Sequence, residues 1–401
     1  MKIRYLLILC MSMHAPQLFC AEQEEWITVL IHGIVGLQAN FSLVTLIQAT
    51  KDLTAGTSYE KNVLDLREHP YLSMIQPIGK LGLHPVVQKK NCLLAAYAFG
   101  ELFSSMERIC GINRKNRFYT FGWSGIVSQK RRLCEARLLY QELKKELSCL
   151  QKEGKSPKVR LIGFSHGATL LLNLGDLRTQ EFSCDRFYID ETYLLGMPVT
   201  RTTTRQAHSS LFKKIYAFYS LQDSVQKLDI FSSTKDFISH RLFKGRLPEG
   251  LTQIELKITA PLRPNPAYTL PPFMRGVINQ SPGHSEFWFF GWTQGSYRKN
   301  LNMYPLPASI FTPYLVQSAN KVSCKSIQID IRPYKECAFI RSPNKCDVST
   351  IPFLSHHDYT KLINEAFSFH PSNQSYKENF LEHQASINTI LRSKGQRMDS
   401  F

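Results

Sequence analysis

No Cys-x-x-Cys pair occurs among the ten cysteines of this 401-residue chain, so the spacing that most often marks a zinc site is missing. After the amino-terminal run no segment holds eighteen uninterrupted apolar residues, and no further membrane-crossing helix is predicted. Internal repeats and low-complexity tracts are absent. Acidic residues are in short supply: 32 Asp and Glu stand against 49 Lys and Arg, for a formal charge of +17. Such an excess is compatible with peripheral contact with anionic membrane, with phosphorylated substrates or with nucleic acid. No aromatic-interleaved nucleic-acid motif accompanies it, however, so no nucleic-acid partner is expected. The densest basic clusters, Lys130-Arg131-Arg132 and Arg114-Lys115-Asn116-Arg117, read as solvated surface.

What is present begins with a basic start (Lys2, Arg4) and a short apolar run, Tyr5 to Met13. Residues 1–20 therefore read as an export signal, placing the mature chain in the periplasm, cell envelope or medium. Cys20 leaves lipid anchoring as an alternative. An oxidising compartment allows disulfides, and Cys324, Cys337 and Cys346 are close enough in sequence to staple the tail; free buried thiols are the equal alternative.

Apolar, β-branched segments at Trp26–Ile31, Arg117–Phe121, Val159–Phe164, Tyr193–Met197, Ile215–Ser220 and Gln253–Thr259 predict six core strands. Between them lies an amphipathic helix over roughly 129–153, with Leu133, Ala136, Leu139, Tyr140, Leu143 and Leu147 on one face. Strands alternating with helices imply an α/β fold with a mainly parallel sheet, helices on both faces and no antiparallel edge strands. Six prolines between Pro261 and Pro282 predict an irregular surface loop. Ser326–Ile331 alternates like a strand, and 358–368 and 376–393 look helical. The domain reading is a core over 21–300, with insertions at about 37–115 and 226–250 that are lid candidates, and an extension over 301–401.

The strand at 159 ends in Gly163-Phe164-Ser165-His166-Gly167 and turns directly into an apolar helix. Glycines on both sides of a serine allow the sharp strand–turn–helix that exposes a hydroxyl at a helix amino end. His32-Gly33-Ile34-Val35-Gly36 follows the first strand. On these two motifs the chain resembles an α/β-hydrolase, nearest to bacterial lipases and esterases, over roughly residues 26–300. The resemblance implies Ser165 as nucleophile and the amides of Ile34 and His166 as oxyanion hole. It implies His32, Gly33, Gly163 and Gly167 as support for loop and elbow. Its order of serine, acid, histidine points to Asp223 and His284. Asp229 and Asp190 are the alternative acids; His240, His356 and His357 are the alternative bases. Trp123 and Ser124, at the tip of the second strand, are candidates for the pocket wall.

These residues together imply a serine ester hydrolase acting on a lipid or other small-molecule acyl ester, with no cofactor and no metal. Thioesterase, peptidase or acyltransferase chemistry on the same triad is the alternative, as is an inactive hydrolase-shaped binding protein. The oligomeric state is not legible in this sequence.

Overall fold

The computed structural model describes residues 23–35, 51–88, 94–227, 239–261, 277–292, 297–322, 324–342, 348–371 and 373–393. The export-signal segment, Asp229, Cys346 and most of the proline-rich stretch lie outside the described residues. The first half of the chain forms β1 (Glu24–Ile31), α1 (Ser58–Arg67), α2 (Pro70–Ile75), β2 (Gly82–Pro85), α3 (Ala95–Ile109), β3 (Arg114–Gly122), α4 (Gln129–Lys152), β4 (Lys158–Phe164) and α5 (His166–Gln180). The second half adds β5 (Glu191–Leu195), α6 (Arg201–Gln206), β6 (Ile215–Tyr219), β7 (Leu251–Pro261) and β8 (Val277–Gln280). It ends with α7 (Thr312–Asn320), β9 (Ser326–Arg332), β10 (Cys337–Arg341), β11 (Val348–Pro352), α8 (His356–Ser368) and α9 (Gln374–Ser393).

The architecture is α/β. One sheet runs β11-β10-β9-β7-β6-β5-β4-β1-β3-β2, with β8 paired to the end of β7. The six strands expected from sequence form a parallel centre in which β1 lies between β3 and β4, and β9 joins it by parallel pairing with β7. Six strands and no antiparallel edges is an underestimate: the sheet has eleven strands and is mixed. Antiparallel β2 closes one edge, β10 and β11 close the other, and β8 adds a fourth antiparallel pairing. The missed strands are four or five residues long, and β2 reads Gly-Leu-His-Pro, too short for a period-2 signal to emerge. β8, which lies between Pro272 and Pro282, also corrects the loop reading for that part of the 261–282 stretch.

Strands buried on both faces carry near-continuous apolar runs, and β1 and β4 do so from Trp26 and Val159 onward. One face is covered by α4, α5 and α6, the other by α1, α2, α3, α7, α8 and α9. The described part of the excursion after the first loop is thus built of α1–α3 and β2. The residues after 300 supply three strands and three helices to the same sheet and core. Helix α4 follows its apolar spacing: Ala136, Leu139, Tyr140, Leu143, Leu147 and Leu150 are buried, and the Ser128 side chain caps it by accepting from Arg131 N–H. Cys324 and Cys337 are free thiols. No helix among the described residues is long and apolar enough to cross a membrane.

Candidate active site

Parallel strands bring the loops at their carboxyl ends to one edge of the sheet, where ligands bind in open α/β architectures. Ser165 stands between β4 and α5 with φ 52° and ψ −125°. A non-glycine residue in that region is strained and persists only where its surroundings over-determine it. Here they do. A Cβ on Gly163 would lie 2.7 Å from Ala168 Cα, and one on Gly167 would lie 2.1 Å from the His32 carbonyl oxygen. Only glycine lets α5 pack this closely on β4 and on the loop after β1. Ser165 N–H donates to Leu195 O at 2.8 Å, pinning the turn to β5.

Asp223 follows β6 and is fully buried. Its Oδ1 accepts from Gln226 N–H at 3.3 Å, and its Oδ2 accepts from His284 Nδ1–H at 2.8 Å. That bond leaves the His284 Nε2 lone pair for Ser165, whose hydroxyl donates to it at 3.0 Å. The three side chains form one chain of hydrogen bonds across residues far apart in sequence. Gly196, with φ +58°, lies against both partners: a Cβ there would be 3.0 Å from Asp223 Oδ2 and 3.2 Å from His284 Nδ1.

Each member is held from behind. Arg241 donates to the carbonyl oxygens of Asp223 and Leu221, Nε–H and Nη2–H sharing the former at 2.8 and 2.6 Å. Gln226 donates to Met197 O at 2.9 Å and binds the acid loop to the β5 end. His284 opens a short 3-10 turn whose Glu286 is buried and engaged by Arg298 and by Gly283 N–H. The His284 ring lies over Phe164, 4.7 Å between centroids, and Phe164 stacks on Trp288.

The loop after β1 lies beside Ser165, since a Cβ on Gly33 would be 3.0 Å from Ser165 Cβ. The half-buried Ile34 follows, and Val35 N–H donates to Gly125 O at 3.1 Å. His32 is fully buried, donates from Nδ1 to Gly33 O at 2.7 Å and stacks on Trp123, whose indole N–H donates to His32 O. Burial first, then the neighbouring Arg67, hold the His32 imidazole down at about 3, so it is neutral at any ordinary pH. His166, the first residue of α5, places its backbone at the helix amino end beside Ser165. Its ring accepts at Nδ1 from Arg132 at 2.8 Å.

Of the alternative acids and bases, the described ones (Asp190, His240, His356 and His357) take no part in this series. Asp190 accepts from Val159 N–H and Lys213 at the opposite sheet edge. His240 pairs its backbone with Val199, and its ring meets Lys244. His356 and His357 open α8. Trp123 and Ser124 are buried framework rather than exposed wall: the first braces His32, and the second is held by Glu135. No group of three or more His, Cys, Asp and Glu side chains gathers as metal ligands among the described residues.

Gly196, Arg241 and Arg298 are absent from the sequence reading, and Arg132, read there as part of a solvated basic cluster, is buried instead. Arg132 alone carried a signal, since it falls four residues before Ala136 on the buried face of α4. A hydroxyl, an imidazole and a buried carboxylate in series, beside a helix amino end, can activate an oxygen nucleophile and receive negative charge. A scan against protein-family models and a search of curated proteins find no match for this chain.

Proposed function

We propose that this protein is a serine hydrolase of α/β-hydrolase type that cleaves carboxylic esters, lipid or other acyl esters, through an acyl-enzyme. The observation that carries the reading is the unbroken series Ser165 Oγ, His284 Nε2, His284 Nδ1, Asp223 Oδ2, at 3.0 and 2.8 Å. Ser165 Oγ attacks the ester carbonyl carbon while His284 Nε2 takes its proton, and Asp223 stabilises the imidazolium that forms. The amides of Ile34 and His166 receive the oxyanion. His284 then returns the proton to the departing alcohol oxygen, leaving an acyl group on Ser165. Water attacks that acyl carbon by the same relay and releases the acid.

A fluorophosphonate probe applied to the purified protein tests the reading, because labelling requires the serine, its base and the oxyanion donors together. Labelling is expected at Ser165. Ser165→Ala is expected to abolish it and to lower p-nitrophenyl ester turnover by ~10⁴-fold or more. His284→Ala should do nearly as much, and His240→Ala little. Unchanged turnover in the Ser165→Ala variant removes the mechanism, and a substrate panel of esters, thioesters and amides ranks the acyl groups accepted.

A further inference from the structure

The basic cluster Lys130-Arg131-Arg132 is not one surface. Lys130 and Arg131 face solvent, and Arg131 pairs with Glu135 and Glu60. Arg132 points the other way and is 1% exposed. Burying a guanidinium costs several kcal/mol unless it is compensated, so a cation at this depth needs a reason beyond filling space. Its Nη1–H donates to Nδ1 of His166, the residue after the nucleophile, at 2.8 Å.

A guanidinium has donors and no acceptor. The Nδ1 that faces it therefore carries no proton, and the His166 ring is neutral with its proton on Nε2. The turn that presents Arg132 is itself clamped. Ser128 Oγ caps α4, Val127 N–H donates to Tyr59 Oη, and Ser124 bonds Glu135 through both its amide and its hydroxyl. The His166 ring thus ties the strained elbow to a fixed neighbouring helix of the same layer. The peptide it steadies joins Ser165 to the N–H that receives the oxyanion.

We propose that Arg132 is a positioning residue for ester cleavage. Through the His166 imidazole it orients the oxyanion-donating peptide, and it brings a buried positive charge to within 2.8 Å of that ring. This inference rests on the serine-hydrolase reading above. A cation in a water-poor site acts on a developing charge far more strongly than one in solvent, and it does so without reorganising. The contribution therefore belongs to the transition state and should fall on kcat rather than on KM.

The test uses the full chain with Arg132→Gln, Arg132→Lys, His166→Leu and the Gln/Leu double variant. The readouts are kcat and KM on a p-nitrophenyl ester and Ki for an alkyl trifluoromethyl ketone, which forms a tetrahedral serine adduct. Arg132→Gln is expected to lower kcat by ~10- to 100-fold and to raise Ki by the same factor, with KM nearly unchanged. Arg132→Lys, which keeps a donor and the charge, should retain most of kcat. The double variant should be no worse than the poorer single, because both remove one linkage. His166→Leu keeps the backbone N–H and carries the same expectation if Arg132→Gln does not fold. Values of kcat and Ki within twofold of wild type, or losses that multiply in the double variant, overturn the assignment while leaving the hydrolase reading intact. A wild-type protein with neither adduct nor turnover overturns both.

Discussion

At the scale of the residue, His32 links the site to the stability of the molecule. Its imidazole is fully buried and titrates at about 3, against 6.5 for an ordinary histidine. Below pH 6.5 the unfolded chain takes up a proton that the folded chain refuses until about pH 3. The stabilising contribution is therefore complete above pH 6.5 and is lost as pH falls, at about 1.4 kcal/mol per unit. His32→Asn, whose amide can still donate to Gly33 O, is expected to flatten the fall of Tm between pH 6.5 and 4. Equal slopes for variant and wild type would place the acid sensitivity elsewhere. The residues that meet at the site are those whose local pattern is self-sufficient: a serine between two glycines, an aspartate after one strand, a histidine after another. Arg132, Arg241 and Arg298 are not legible in this way, because each acts on a backbone or ring that only the folded chain brings near.

At the scale of the element, the site depends on how closely α5 approaches the loop after β1. The His32 carbonyl oxygen occupies the space where a side chain on Gly167 would begin, 2.1 Å away. Gly167→Ala must push the two apart, moving Gly33 and Ile34 away from Ser165. The expected result is a loss of ~3 kcal/mol or more in denaturant unfolding and loss of fluorophosphonate labelling. A variant as stable and as reactive as wild type would mean the close approach does not exist in solution. The central strands and α4 are plain in the sequence because β1 and β4 are near-continuously apolar and buried, and α4 buries a long, periodic apolar face. The edges are not. β10 alternates buried and half-buried or exposed positions over only five residues, and β2 has a single buried position among four, so only the neighbouring strand makes either of them a strand.

At the scale of the whole molecule, the carboxyl-terminal quarter belongs to the sheet that bears the site. β9 pairs with β7 from Gln253 opposite Ser326 to Ile258 opposite Ile331, and Thr259 donates to Asp330 at 2.6 Å. Helix α9 reaches back to α2 through Phe380 against Tyr71 and Gln384 on the Tyr71 hydroxyl. A fragment ending at residue 300 is expected to lack cooperative thermal unfolding by circular dichroism; a cooperative, ester-cleaving fragment would contradict this. The positive balance of the chain is also less free than its count implies: Arg114, Lys115 and Arg117 each meet a glutamate across the strands, and Arg160 is buried between Glu107 and Glu191. The place of β1 has a further consequence, in time rather than space. β1, the first of the described strands in chain order, is an interior one, and its partners begin at Arg114 and Lys158. At about 5–20 residues per second, an apolar ribbon from Trp26 to Ile31 waits several seconds or more for its neighbours. Nascent chains of this protein should therefore lean on a holding chaperone until β4 has emerged, and slower synthesis should lengthen that dependence.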